Sequence, residues 1–112
     1  MSNNRNIQLN SVSIILKALS NPNRLRIFQR LCTCCPPGTK CQTEGKILPC
    51  VGEVGKDLSI APSTLSHHLK ELKNAGLIEM ERQGQNIQCR VDPEVLEELS
   101  VFFTKLESGA SQ

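Results

Sequence analysis

SIAPSTLSHHLKELKNAGLIE, Ser59 to Glu79, is the stretch that decides how this chain folds. Leu65, Leu69 and Leu72 recur at helical spacing and make one apolar stripe. Pro62 and Ser63 read as the start, since proline suits a first helical turn. Gly76, after Asn74-Ala75, reads as the stop, where a left-handed backbone ends a helix. The turn before Pro62 is short. A helix expected from about Leu48–Cys50 to Leu58 is therefore joined tightly to this one, although Gly52 and Gly55 make it a poor helix by propensity. Two helices so joined are the helix-turn-helix signature.

Downstream the period changes. Ile78, Met80 and Arg82 alternate with Glu79, Glu81 and Gln83; after Gly84, Ile87, Cys89 and Val91 alternate with Gln88 and Arg90. Two period-two runs around QGQN predict a β-hairpin, with Cys89 a core thiol on its inner face. Asp92-Pro93 then caps a last helix. On it Val95, Leu99, Phe102 and Leu106 form a seam, with Leu96 and Phe103 beside it. That seam is apolar for a terminal helix on so small a domain, which predicts pairing with a second copy. Upstream, a frayed terminus over 1–10 leads to a helix carrying Val12, Ile15, Leu16 and Leu19. SNPNR breaks it; Ser20 or Asn21 can cap the next helix, Pro22 suits its first turn, and Leu25, Phe28 and Leu31 share a face. The expected fold class is mainly α with a β-hairpin wing, about five helices in one domain over 11–107, with a flexible tail at 108–112.

Bulk properties narrow the functions. The chain has 112 residues, which sets a prior of one domain. Three Phe, no Trp and no Tyr argue against single-strand nucleic-acid binding, which needs stacking platforms. Residues 1–75 carry a net +6 and residues 76–112 a net −4, so an anionic partner suits the front half. A normally solvated surface explains the same charges. The first residues are polar, no apolar run approaches membrane-spanning length, and a cytoplasmic location is expected, where thiols stay reduced.

The helix after the turn carries short polar residues at its N-terminal end: Ser63, Thr64, Ser66 and His67. Such an end can enter a major groove and reach base edges or phosphates. Lys70 and Lys73 suit the backbone, and Arg82, Gln83 and Gln85 at the hairpin tip suit a neighbouring groove. An amphipathic helix with a solvated outer face has the same pattern. Adjacent helix residues point about 100° apart. His67 and His68 therefore divide: one faces outward and the other packs or bonds within the domain.

ALSNPNRLRIFQRL, STLSHHLKELKNAGLIE and a Gly-centred wing together resemble the ArsR/SmtB family of bacterial metal-sensing repressors, over roughly residues 11–106. The resemblance implies a homodimer joined through its first and last helices, with Val12, Ile15, Leu16, Leu99, Phe102, Phe103 and Leu106 as interface candidates. It implies a pseudo-palindromic duplex operator, released when an inducer binds. Two recognition helices about 34 Å apart would match successive major grooves.

Five of the six cysteines, Cys32, Cys34, Cys35, Cys41 and Cys50, lie within Leu31–Cys50 around a Pro-Pro-Gly turn. A loop is expected from Cys35 to Ile47. The family's site on the last helix needs His, and this chain has none there. Its other familiar site is a Cys-x-Cys at the start of the helix before the recognition helix. Cys50 keeps the first position, Gly52 replaces the second, and Gly55 stands where a third often sits. The upstream thiols are expected to supply the missing ligands, about three in all, with Cys34, Cys35 and Cys50 favoured. All-thiolate sites take soft ions. Three pyramidal thiolates suit As(III) or Sb(III), and a vicinal pair such as Cys34-Cys35 suits arsenic. Cadmium, lead, zinc and copper(I) follow, and four thiolates would suit a structural zinc. Oxidation by peroxide or sulfur species, and a packing role for Cys32, stay open. An arsenate reductase or a metal-trafficking module stands furthest off. No phosphate-cradling loop or Cys-His-Asp arrangement supports an enzyme, and no organic cofactor is expected.

Overall fold

The computed structural model describes the backbone of residues 2–34, 36–43, 49–84 and 86–109, and side chains within 9–34, 36–39, 53–82, 84 and 88–109. In chain order it contains α1 (Ser2–Ala18), α2 (Pro22–Cys34), β1 (Lys40–Thr43), α3 (Pro49–Asp57), α4 (Pro62–Asn74), β2 (Ile78–Gln83), β3 (Asn86–Val91) and α5 (Pro93–Glu107).

The helix boundaries have local causes. Asn21 Oδ1 accepts a hydrogen bond from the Arg24 N–H at 3.0 Å, and Pro22 opens α2 behind that cap. Asp92 caps α5 by accepting from the Glu94 N–H at 2.9 Å. The end of α4 is a Schellman closure. The Leu77 N–H reaches the Leu72 carbonyl and the Gly76 N–H the Lys73 carbonyl, both at 3.0 Å, with Gly76 at φ +83°. The end of α3 repeats it with a serine. The Ile60 N–H donates to the Gly55 carbonyl at 2.7 Å, the Ser59 N–H donates to the Lys56 carbonyl at 3.1 Å, and Ser59 takes φ +56°. That closure makes the tight turn between α3 and α4. Gly55 also lets the two helices approach, for a Cβ there would stand 3.0 Å from Leu65 Cδ2. So the position where a third cysteine might have stood is taken by helix packing.

Ile27, Leu31 and Leu72 are fully buried, as are Leu77 and Val91, and they join α2, α4 and the sheet into one core. Burying each such side chain contributes about 1.5–3 kcal/mol. β2 and β3 pair antiparallel, with Met80 opposite Cys89 and Glu79 opposite Arg90. Cys89 is buried, as its alternation predicted.

Two expectations change. α1 begins at Ser2, where a frayed terminus was expected over 1–10. The presumed loop of Cys35–Ile47 contains β1, which pairs antiparallel with β3 and makes the sheet three-stranded, in the order β1-β3-β2. Cys35 and residues 44–48 of that loop lie outside the described residues.

Candidate nucleic-acid interface

α4 divides cleanly into two faces. Leu65, His68, Leu69 and Leu72 are buried, while Ser63, Thr64, Ser66, His67, Lys70 and Lys73 are all exposed. The outward set is the one the sequence assigned to DNA. Ala61, at the N-cap, supplies no side-chain cap, and Pro62 follows it. The first N–H groups of α4 are thus left to solvent or a ligand, and the helix dipole there favours an anion.

The wing follows at once. Arg82 is exposed on β2. The side chains of Gln83 and Gln85 lie outside the described residues. Below the tip, Arg90 Nη1 donates to Glu79 Oε1 at 2.8 Å. The pair joins β3 to β2 and is exposed enough to add little stability.

The two histidines separate as expected: His67 is exposed and His68 is 6% exposed. His68 Nδ1 accepts from Arg24 Nε at 3.3 Å, and Arg24 Nη1 donates to the Ala18 carbonyl at 3.2 Å. Burial, then the Arg24 charge, holds the His68 pKa below the usual histidine range. Nothing local in the sequence marks Arg24 for this contact, since its partner lies 44 residues away.

Four of the five clustered cysteines are spread over three elements. Cys32 and Cys34 lie in the last turn of α2, Cys41 in β1 and Cys50 at the start of α3. Cys32 is a free thiol packed against the core, and burial pushes its pKa up. Cys34 is disulfide-bonded. Cys41 stands opposite Cys89 in the strand register. Cys89 is free, with its thiol pushed up to about 11 by burial. Among the described residues no three potential ligands come together. The side chains of Cys35, Cys41 and Cys50 lie outside them. A cavity of about 360 Å³ between α2 and α3 is lined by Arg26, Gln29, Arg30 and Thr33 on one side and Val54 and Asp57 on the other.

Exposed apolar side chains lie mostly on α1 and α5; Leu25 of α2, expected on the face of Phe28 and Leu31, is exposed as well. Val12 and Ile15, two interface candidates, are 2% exposed within the protomer itself. The outward face of α1 passes instead to Leu9, Ile14 and Leu16. On α5, Phe103 and Leu106 are exposed, and so is Val101, which the sequence reading left out. Leu99 and Phe102 are half-buried. Ser11 Oγ donates to Glu98 Oε1 at 3.4 Å, so the two helices lie side by side.

A turn-linked pair of helices followed by a strand pair is a winged helix-turn-helix, and comparison with known proteins agrees. Residues 19–81 match a family model described as a helix-turn-helix domain. The chain is 36% identical over 93 residues to the Bacillus subtilis HTH-type transcriptional regulator YbzH, covering 80% of this chain and 91% of that protein. It is 30% identical over 88 residues to a Staphylococcus aureus homologue of the cadmium resistance regulatory protein CadC, covering 79% of this chain and 63% of that one. The homodimeric winged helix-turn-helix domain of Mycobacterium bovis Mb0332, a possible ArsR-family regulator, superposes with a TM-score of 0.58. That match has 21% identity over 96% of this chain and 88% of the other. The chain belongs to the helix-turn-helix transcriptional regulators, and its fold is the winged one of their ArsR-type members. It is a DNA-binding regulator and not an enzyme. No helix among the described residues is long and apolar enough to cross a membrane.

Proposed function

We propose that this protein is a homodimeric repressor that holds a pseudo-palindromic duplex operator through α4 and the wing, and releases it when a thiophilic ion binds its clustered thiolates. The observation that carries the DNA contact is the single outward face of α4, where six polar or basic residues stand exposed behind an uncapped N-terminus. Dimerisation is supported by the apolar surface that α1 and α5 leave uncovered. As(III) or Sb(III) leads the candidate inducers. Three of the thiols Cys34, Cys35, Cys50, Cys32 and Cys41 act as ligands, the first three favoured. The cadmium resistance regulator among the relatives supports a thiophilic ion and keeps cadmium in the test.

The release mechanism rests on where these cysteines sit in the chain. Cys32 and Cys34 belong to α2, Cys41 to β1 and Cys50 to α3, and β1 is hydrogen-bonded to the central strand of the sheet. In the reduced protein, an ion bridging Cys34 and Cys50 would tie the end of α2 to the start of α3, the helix immediately before α4. Induction requires the ion to bind the free conformation more tightly than the DNA-bound one. A hundredfold loss of DNA affinity needs about 2.7 kcal/mol of coupling.

A second reading has its own observation, the disulfide at Cys34. In it, two thiols of the segment lose two electrons and two protons to a peroxide or a sulfur species, and the disulfide performs the release. The deciding experiment is fluorescence anisotropy of the reduced protein on duplex DNA from upstream of its own gene. Arsenite, cadmium, zinc and peroxide are titrated in separate arms. Release by near-stoichiometric arsenite supports the first reading, and release by peroxide alone supports the second. Cys50→Ser should bind DNA normally and ignore arsenite; loss of DNA binding in that variant would mean a structural site.

A further inference from the structure

Arg24 touches three segments at once. Its backbone N–H is held by the Asn21 cap, one guanidinium N–H meets the last carbonyl of α1 at Ala18, and Nε meets His68 in the middle of α4. The Ala18 carbonyl belongs to the end of a helix, where carbonyls lack intrahelical partners and a cation is favoured. An arginine can only donate, so His68 must accept through Nδ1. The ring is therefore neutral, with its proton on Nε2. His68 lies on the buried face of α4, flanked by the exposed residues His67 and Lys70.

We infer that Arg24 is a positioning residue that ties the end of the dimer-side helix α1 to the recognition helix through neutral His68, so that protonating His68 loosens α4 and weakens DNA binding. The inference rests on the DNA-binding reading above and names a control built into that same surface. Protonation would turn Nδ1 from acceptor to donor, setting two donors and two positive charges against each other. Apart from Arg24, the charged groups acting on His68 are His67, which also opposes protonation, and Glu71, which favours it. With its folded pKa below the unfolded one, His68 adds stability that is full above about pH 6.5. That stability is lost as the pH falls through the folded pKa.

The test is anisotropy on the same duplex at pH 7.5 and pH 5.5, at constant ionic strength. His67 belongs to the DNA-facing set, so it is kept, and the comparison is wild type against His68→Asn, which share it. In wild type, acidification should weaken binding several-fold, below the roughly tenfold ceiling that linkage sets over this interval for a histidine of ordinary pKa. His68→Asn keeps an acceptor near the place of Nδ1 and removes the His68 titration, so the acid loss should shrink to less than about twofold. Arg24→Met should bind weakly at both values. An acid loss as large with His68→Asn as without it overturns the inference, and so does wild-type affinity in Arg24→Met.

Nitrogen NMR of the His68 ring reads the tie without DNA. An Nε2–H ring whose titration midpoint rises in Arg24→Met supports it; an Nδ1–H ring or an unmoved midpoint refutes it. A parent protein that binds no duplex at pH 7.5 overturns the DNA-binding reading and the positioning role with it, while the ring signal still reports whether the bond exists.

Discussion

α4 and α5 are both amphipathic helices opened by a proline, yet they end in different situations. α4 buries Leu65, Leu69 and Leu72 inside the protomer and turns polar side chains outward. α5 has no fully buried residue. Val95, Leu96 and Leu99 rest partly on the core, while Val101, Phe103 and Leu106 face out. Phe102 meets Phe103 edge-on, with ring centroids 5.3 Å apart, which holds the exposed ring in place. One helix is finished by its own chain and is free to read an outside ligand. The other leaves apolar surface that, in the proposed dimer, a second copy covers.

The largest effect that would break this contrast is a cavity under α4. Leu72→Ala removes a side chain with no exposed surface and should cost about 3 kcal/mol of stability in urea unfolding. The matching change on α5, Phe103→Glu with Leu106→Glu, should leave each protomer folded by circular dichroism. Sedimentation equilibrium should then show a monomer, and operator affinity should fall about a hundredfold, near 2.7 kcal/mol. Loss of folding in that variant would mean that α5 belongs to the core. Gly76→Ala forces a Cβ onto φ +83° at the end of α4 and should cost about 1–2 kcal/mol, read as a lower urea midpoint. The smallest effect belongs to the wing stem. Glu79→Ala removes an exposed ion pair and should change stability by less than about 0.5 kcal/mol.

α4 was legible because each of its signals is local: a leucine stripe, a proline start and a glycine stop, all between Pro62 and Gly76. The wing was legible for the same reason, through strict alternation. What escaped depends on distant partners. KCQT has no strand signature of its own and becomes β1 only because β3 pairs with it. Val12, Ile15 and Leu16 lie close together in the α1 sequence, and nothing local tells an apolar residue facing its own core from one facing a partner. Helix geometry required His67 and His68 to diverge, but the choice of His68 for the inside comes from Arg24, 44 residues away. For the thiols, chemistry could be read without geometry. Ligand choice depends on how the chain runs past Pro36 and Pro37, and spacing does not determine that.

The third strand has a consequence for solubility. β3 lies in the middle of the sheet because β1 covers its second side. Without β1, β3 would present a row of unpaired N–H and C=O groups, the surface along which strands of separate molecules add to one another. β1, four residues long, thus replaces a six-residue edge with a shorter one, a poorer template for edge-to-edge pairing. A deletion meant to silence the thiols would also uncover that edge, and light scattering would register the change before any operator assay did.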